Sequence, residues 1–335
     1  MTPRVLFVTP GFEDYLSDGI LHGLRRLLGN AAVDFPKQDV LYAGGRGLVR
    51  GGGFTLYGLL DDEPLDRHRA LFRAEAGEFD LVVFGDIWRT FGLFTEWGPR
   101  LHGRVPVVVL DGSDRVEPYP YGGFWWRRRS WWALPRAHIR AVYFKREITP
   151  WTGWFRSYLL VPPPLAAYTV RWLRPTAFSV PAEKIVDAPR AKDRQFATHI
   201  VDGELAPLVG GSTSHFFADE EDYRADLQRA RFGVTTKREG WDCLRHYEIA
   251  ANGAVACFRD LHRKPTACAP HGLVDGVNCI AYRDAGELLG RIARLREGEY
   301  ERLQTGALAW ARANTTVRRA EELLAVMGMT ARSAS

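Results

Sequence analysis

Short, wholly apolar runs alternate along the chain with longer stretches in which apolar residues recur every three or four positions. Arg4-Val5-Leu6-Phe7-Val8-Thr9 is the first such run, and it suits a strand buried on both faces. Pro10 to Tyr15 reads as a loop, after which Ile20, Leu21, Leu24, Leu27 and Leu28 fall at helical spacing. The same two signals predict a helix over 65–76, a strand over 79–86, a helix over 88–101, and strands over 105–114 and 139–147. In the second half they predict a strand over 195–201, a helix over 222–230 and strands at 231–236, 255–258 and 278–282. Helices are expected at 285–295, 299–314 and 316–327. Strands alternating with helices in this way indicate an α/β fold with parallel sheets.

The 335 residues suit two domains. Val161-Pro162-Pro163-Pro164 is stiff and extended, as a boundary would be. The expected division is 1–165, 166–315 and a last segment, 316–335, of one helix and a tail that is expected to be disordered from Thr330. No run of eighteen apolar residues occurs, so no transmembrane helix is expected. Met1-Thr2-Pro3-Arg4 leads straight into a strand without a signal-peptide pattern, which points to a cytoplasmic protein. Cys243, Cys257, Cys268 and Cys279 form no C-x-x-C pair and are expected as free thiols. A net charge of +5 favours an anionic partner. A nucleotide-sugar, nucleic acid and an acidic lipid all fit.

The stretch Thr235 to Phe258 carries the densest chemistry. It reads as strand, charged turn, helix, Gly stop and strand, with Gly240 and Asp242 as helix-start signals and Asn252-Gly253 as the stop. A helix N-terminus that follows a strand gathers free N–H groups and a positive partial charge, a natural seat for phosphate. Lys237 and Arg238 add two cations before it, and Arg245 and Glu248 share a helix face. Cations for phosphates and a carboxylate for ribose hydroxyls suit a nucleoside diphosphate. The alternative is an ordinary β-α-β unit whose Arg and Glu form a surface pair.

Other groups are open to two readings each. Asp86, Asp111 and Asp114 lie at strand carboxyl ends, where ligands collect in open α/β sheets; each also suits a turn cap. Ala43 to Gly58 holds seven glycines in sixteen residues and reads as a mobile loop that closes over a ligand with Arg46 and Arg50, or as a plain solvent loop. No Gly-Lys-Ser/Thr follows, so it is no P-loop. Six of the eleven tryptophans fall between Trp125 and Trp154. There Trp125, Trp126, Arg127, Arg128, Arg129, Trp131 and Trp132 form an acceptor or partner surface, or an interdomain packing segment. His246 is a helix-surface residue or a participant, and no His-Cys-Asp spacing suggests a metal.

The segment Arg245, Tyr247, Glu248, Ala251 and Gly253 resembles the R-x-Y-E-x-x-A-x-G donor helix of GT-B glycosyltransferases, in the flavour of the group-1-like and CgeB-like families. Retaining members carry E-x7-E; here Gly240 stands at the upstream position, and Glu239 is nine residues before Glu248. Tyr143-Phe144-Lys145-Arg146-Glu147 is a second point of resemblance, as is the glycine-and-aromatic segment. The resemblance implies two Rossmann-like domains facing a central cleft, with the last helix returning to the first domain. It implies a metal-independent enzyme that takes a nucleotide-sugar as co-substrate and needs no other cofactor. Lys237, Arg238, Glu239, Gly240, Trp241, Asp242, Arg245, Glu248, Lys145 and Arg146 would serve the donor. The first loop would face the cleft, making Glu13, Asp14 and Asp18, with Asp111 and Asp114, candidate bases for an acceptor hydroxyl. The bland reading of the first-loop acids is complementation of a helix dipole. The acceptor stays open: a natural product, a glycan or a base in DNA. The rival function is a non-catalytic nucleic-acid or membrane-surface binder using residues 124–154.

Overall fold

The computed structural model describes residues 2–49, 55–116, 118, 141–149, 152, 173–214 and 217–330. The Trp/Arg stretch at 124–132, Arg50, His215 and the Pro-rich run at 161–164 lie outside them. The chain divides into two compact units, Met1–Ala177 with Thr316–Ser335, and Phe178–Thr315.

The first unit is built on β1 (Val5–Val8), β2 (Ala32–Phe35), β3 (Leu81–Phe84), β4 (Val107–Asp111), β5 (Ala141–Lys145) and β6 (Leu173–Pro175). All pair in parallel in the order β2-β1-β3-β4-β5-β6. The chain leaves β1 toward β2 on one side and returns to β3 on the other, so the strand order reverses between β1 and β3. β1, β3 and β4 are buried throughout, as their unbroken apolar runs require.

Two strands, β2 and β6, were not expected. β2 reads Ala-Val-Asp-Phe and carries a buried carboxylate, Asp34, which is neutralised by Arg67 (Nη2–Oδ1 2.6 Å, Nε–Oδ1 3.0 Å). The expected helix over 65–76 is shortened to α2 (Ala70–Glu75), which begins after Arg69 at φ 50°.

Helix α1 (Tyr15–Leu28) starts earlier than its apolar spacing indicated, because Asp14 caps it by accepting the Ser17 N–H at 2.8 Å. α3 (Ile87–Leu101) follows β3.

The second unit carries β7 (Arg194–Phe196), β8 (Ala230–Thr236), β9 (Val255–Arg259) and β10 (Cys279–Tyr282), parallel in the order β10-β9-β8-β7. Its longer helices are α4 (Glu220–Arg229), α5 (Leu244–Ala251), α6 (Ala285–Arg294) and α7 (Glu297–Ala313). α5 stops at Gly253, whose φ of 71° favours glycine. A Cβ on Gly233 of β8 would lie 2.6 Å from Ile249 Cγ1, so glycine lets β8 and α5 close on each other. α6 is capped by Asp284, which accepts the Glu287 N–H, while Glu287 accepts the Arg283 N–H. Asp284→Ala is expected to cost about 1 kcal/mol in denaturant unfolding and to leave nucleotide affinity unchanged.

The last helix, α8 (Thr316–Val326), belongs to the first unit and packs on α1. His22 Nδ1 and Thr316 Oγ1 lie 2.9 Å apart, and a Cβ on Gly23 would lie 2.0 Å from the Thr316 carbonyl oxygen. The four cysteines are free. No described helix is long and apolar enough to cross a membrane.

Candidate functional site

In the second unit the charged bend between β8 and α5 sits at the carboxyl end of the sheet. Lys237, Arg238 and Glu239 are exposed. The bend is tight: the Arg238 N–H donates to the Gly240 carbonyl at 3.0 Å, and Lys237 Nζ donates to the carbonyls of Arg238 and Glu239 at 3.1 and 2.9 Å.

The helix begins at Leu244, not between Gly240 and Asp242 as its start signals suggest. Asp242 is buried and consumed elsewhere: Oδ2 accepts the Phe178 N–H at 2.7 Å and Oδ1 accepts the Tyr247 hydroxyl at 2.9 Å. Expected among the donor-binding groups, it stands here as a structural tie. It ties the head of α5 to the start of the unit. His246 acts similarly. Its Nδ1 lies 2.8 Å from Thr235 Oγ1 and its Nε2 2.9 Å from the carbonyl of Trp241, while its ring stacks on Phe258 at 4.6 Å. A buried imidazole with both nitrogens engaged holds the bend in shape and is not a helix-surface residue. Trp241 stays half-buried, 6.4 Å from the Phe258 ring.

At the head of α5 and one turn into it, Arg245 and Glu248 are both half-buried. Arg245 Nη1 approaches His199 Nδ1 at 2.7 Å, so that nitrogen accepts and the ring proton sits on Nε2. Glu248 Oε2 accepts the Tyr223 hydroxyl at 2.9 Å. Burial, and next the Glu248 carboxylate, push the Tyr223 phenol well up, so it stays a donor. His199 and Tyr223 were missed by sequence reasoning; they arrive from the end of β7 and from α4, and no local pattern marks them.

In the first unit the carboxyl ends of β4 and β5 meet. Asp111 and Lys145 are register partners. Asp111, 1% exposed, takes four donors: Ser113 N–H at 3.1 Å and Ser113 Oγ at 2.7 Å on Oδ1, Tyr143 hydroxyl at 2.8 Å and Lys145 Nζ at 3.2 Å on Oδ2. Burial alone would raise its carboxyl, but the Lys145 ammonium and the Ser113 and Tyr143 donors hold it below the usual range. These donors keep the carboxylate in its charged form. Arg146 is buried too, donating to the Gly112 carbonyl at 2.9 Å and pairing with Asp114 and Glu147. The structure thus brings Asp111, Asp114, Lys145 and Arg146 together in ion pairs, with Asp111, Lys145 and Arg146 buried and Asp114 half-buried at the edge. Lys145 and Arg146, expected as phosphate contacts, and Asp111, expected as a base, are all buried here.

The first loop lies at the ends of β1 and β3. Asp18 is also 1% exposed, accepting from the Asp14 N–H at 2.9 Å and Gln38 Nε2 at 2.7 Å; burial and the Asp14 carboxylate push it up. Expected as a candidate base, it is enclosed at the head of α1. Glu13 is half-buried, its carbonyl receiving Arg89 Nη1 at 3.3 Å. Asp86, at the end of β3, pairs with Arg89 at 3.0 Å, and its N–H donates to Ser17 Oγ at 2.8 Å.

No family model matches the chain, and no curated protein matches it in sequence. Solved structures do share its fold. Anabaena HepE in complex with UDP-glucose superposes with a TM-score of 0.56 at 10% identity, over 97% of this chain and 99% of that one. A glycosyltransferase from Rickettsia africae gives 0.52 at 8% identity, over 97% of each chain. Sucrose-phosphate synthase from Thermosynechococcus elongatus gives 0.50 at 11% identity, over 97% and 98%. The fold is therefore the GT-B type, two α/β units each on a parallel sheet.

Proposed function

We propose that the protein transfers a sugar from a nucleotide-sugar to an acceptor hydroxyl, and that the donor's nucleotide is held by the second unit at the bend into α5. The observation that carries this reading is the pairing of exposed cations, Lys237 and Arg238, before a helix start with a half-buried carboxylate, Glu248, one turn into that helix. The HepE structures that share the fold hold UDP, glucose or UDP-glucose, which supports a nucleotide-sugar as the partner here.

In this reading the helix head and the two cations receive the diphosphate as it leaves, an electrostatic aid that grows with the charge on the departing oxygen. Arg245, steadied by His199, adds a third cation one residue into α5. Glu248 accepts the ribose hydroxyls while Tyr223 fixes its carboxylate from the other side. We extend the proposal to a CgeB-like affiliation, a cytoplasmic setting and catalysis without a bound metal.

A thermal-shift screen with UDP, GDP, dTDP and CMP tests the reading. One of them is expected to raise the melting temperature, because a ligand that binds only the folded chain stabilises it by mass action. No shift with any of the four would overturn it.

A further inference from the structure

Phe12 and Trp88 are large rings left 53% and 55% exposed, at the carboxyl ends of β1 and β3. They belong to one patch, because Arg89 lies against both: its guanidinium carbon is 5.5 Å from the Phe12 ring centre and 5.7 Å from that of Trp88. The same guanidinium bonds Asp86 Oδ2 and the Glu13 carbonyl. The patch stands where the strand order of the sheet reverses between β1 and β3, the position at which open α/β sheets receive ligands.

We propose that Phe12, Trp88 and Asp86 form the acceptor subsite of the first unit, and that the acceptor they fit is a neutral sugar ring. The inference rests on the sugar-transfer reading above and supplies the acceptor class that reading leaves open. A pyranose has an apolar C–H face and a hydroxyl rim. The face matches an exposed aromatic ring through dispersion and release of water. The rim matches a carboxylate, which accepts a hydroxyl proton in a charge-assisted hydrogen bond.

Asp86 is the carboxylate best placed for this. It bonds the Arg89 guanidinium that lies against both rings, and it is 7% exposed. Burial first, then the neighbouring Asp14 and Asp111 carboxylates, push it up to about 7 against the opposing pull of Arg89. It ionises as pH rises through neutrality, so the hydrogen bond it offers a hydroxyl strengthens over that range.

The surroundings disfavour a nucleic-acid acceptor. The Asp14 carboxylate lies close enough to Asp86 to push it up, and the guanidinium at the patch, Arg89, is already engaged by Asp86. A phosphate backbone would meet repulsion there.

The test is fluorine NMR of the full chain labelled with 5-fluorotryptophan, the Trp88 line being assigned by its loss in Trp88→Phe. Cellobiose, added with UDP present, is expected to shift that line saturably. Phe12→Ala is expected to weaken the binding about tenfold, the scale of one lost ring contact. Asp86→Asn is expected to remove its rise with pH through about 7. A Trp88 line unmoved by cellobiose, or moved by a single-stranded thymidine decamer or by 4-nitrophenol instead, overturns the inference. UDP thermal shifts measured on the same samples separate the two readings. If UDP stabilises the chain while cellobiose leaves Trp88 still, the acceptor subsite fails and the donor site stands.

Discussion

Replacing Lys145 by Met is expected to destabilise the first unit by about 3–5 kcal/mol, the cost of leaving one member of a buried ion pair without its partner. Lys145 is 0% exposed and its ammonium reaches Asp111 at 3.2 Å. With the ammonium gone, Ser113 and Tyr143 still donate to Asp111, but the full charge stays buried. The pH dependence carries a definite sign. In the wild type Asp111 lies below the ordinary carboxylate range, so its contribution is complete above the unfolded value of about 3.9 and is lost as pH falls through the folded value. In the variant burial dominates and raises that carboxyl. The deficit is then largest near neutrality and shrinks in acid as Asp111 takes up a proton. Urea unfolding of both proteins between neutral and acidic pH measures this. A variant as stable as the wild type at pH 7 would show that the cluster is not what holds β4 to β5.

Glu248→Ala is expected to weaken nucleotide binding by about 1–3 kcal/mol, the value of a charge-assisted hydrogen bond, or roughly 5- to 150-fold in Kd. The substitution also removes the Tyr223–Glu248 hydrogen bond, which costs about 1 kcal/mol of stability. Affinity and melting temperature are therefore measured separately. Calorimetry with the nucleotide selected by the thermal-shift screen gives the first. An unchanged affinity would remove Glu248 from the donor site.

How much of this was written in the sequence differs by element. β1, β3, β4, β9 and β10 announce themselves because buried parallel strands read as unbroken apolar runs, and β8 is marked by β-prone residues. β2 was hidden by Asp34, whose charge is cancelled by Arg67, thirty-three positions away along the chain. β6 was hidden because Leu-Arg-Pro is an edge strand with only Leu173 buried. The start of α5 was misread for a related reason. Gly240 and Asp242 have the chemistry of a helix start, but Asp242 spends both oxygens on Phe178 and Tyr247.

The site shows the same division. The composition of the bend and the spacing of Arg245 and Glu248 could be read locally. Their partners, His199 and Tyr223, come from other elements and depend on how the sheet folds. Asp111 and Lys145 were each noticed as strand-end charges. Only the β4–β5 register, which sets one opposite the other, shows that they neutralise each other inside the fold. Asp86 carried the same strand-end signal as Asp111. What distinguishes it is tertiary: greater exposure, the Arg89 contact and two exposed aromatic rings beside it.

The most direct test of the donor site is a crystal structure of the full chain soaked with UDP. The account requires the diphosphate at the head of α5 beside Lys237 and Arg238, with the ribose hydroxyls on the Glu248 carboxylate. UDP bound away from the β8–α5 bend, or bound there with its ribose turned from Glu248, would contradict it.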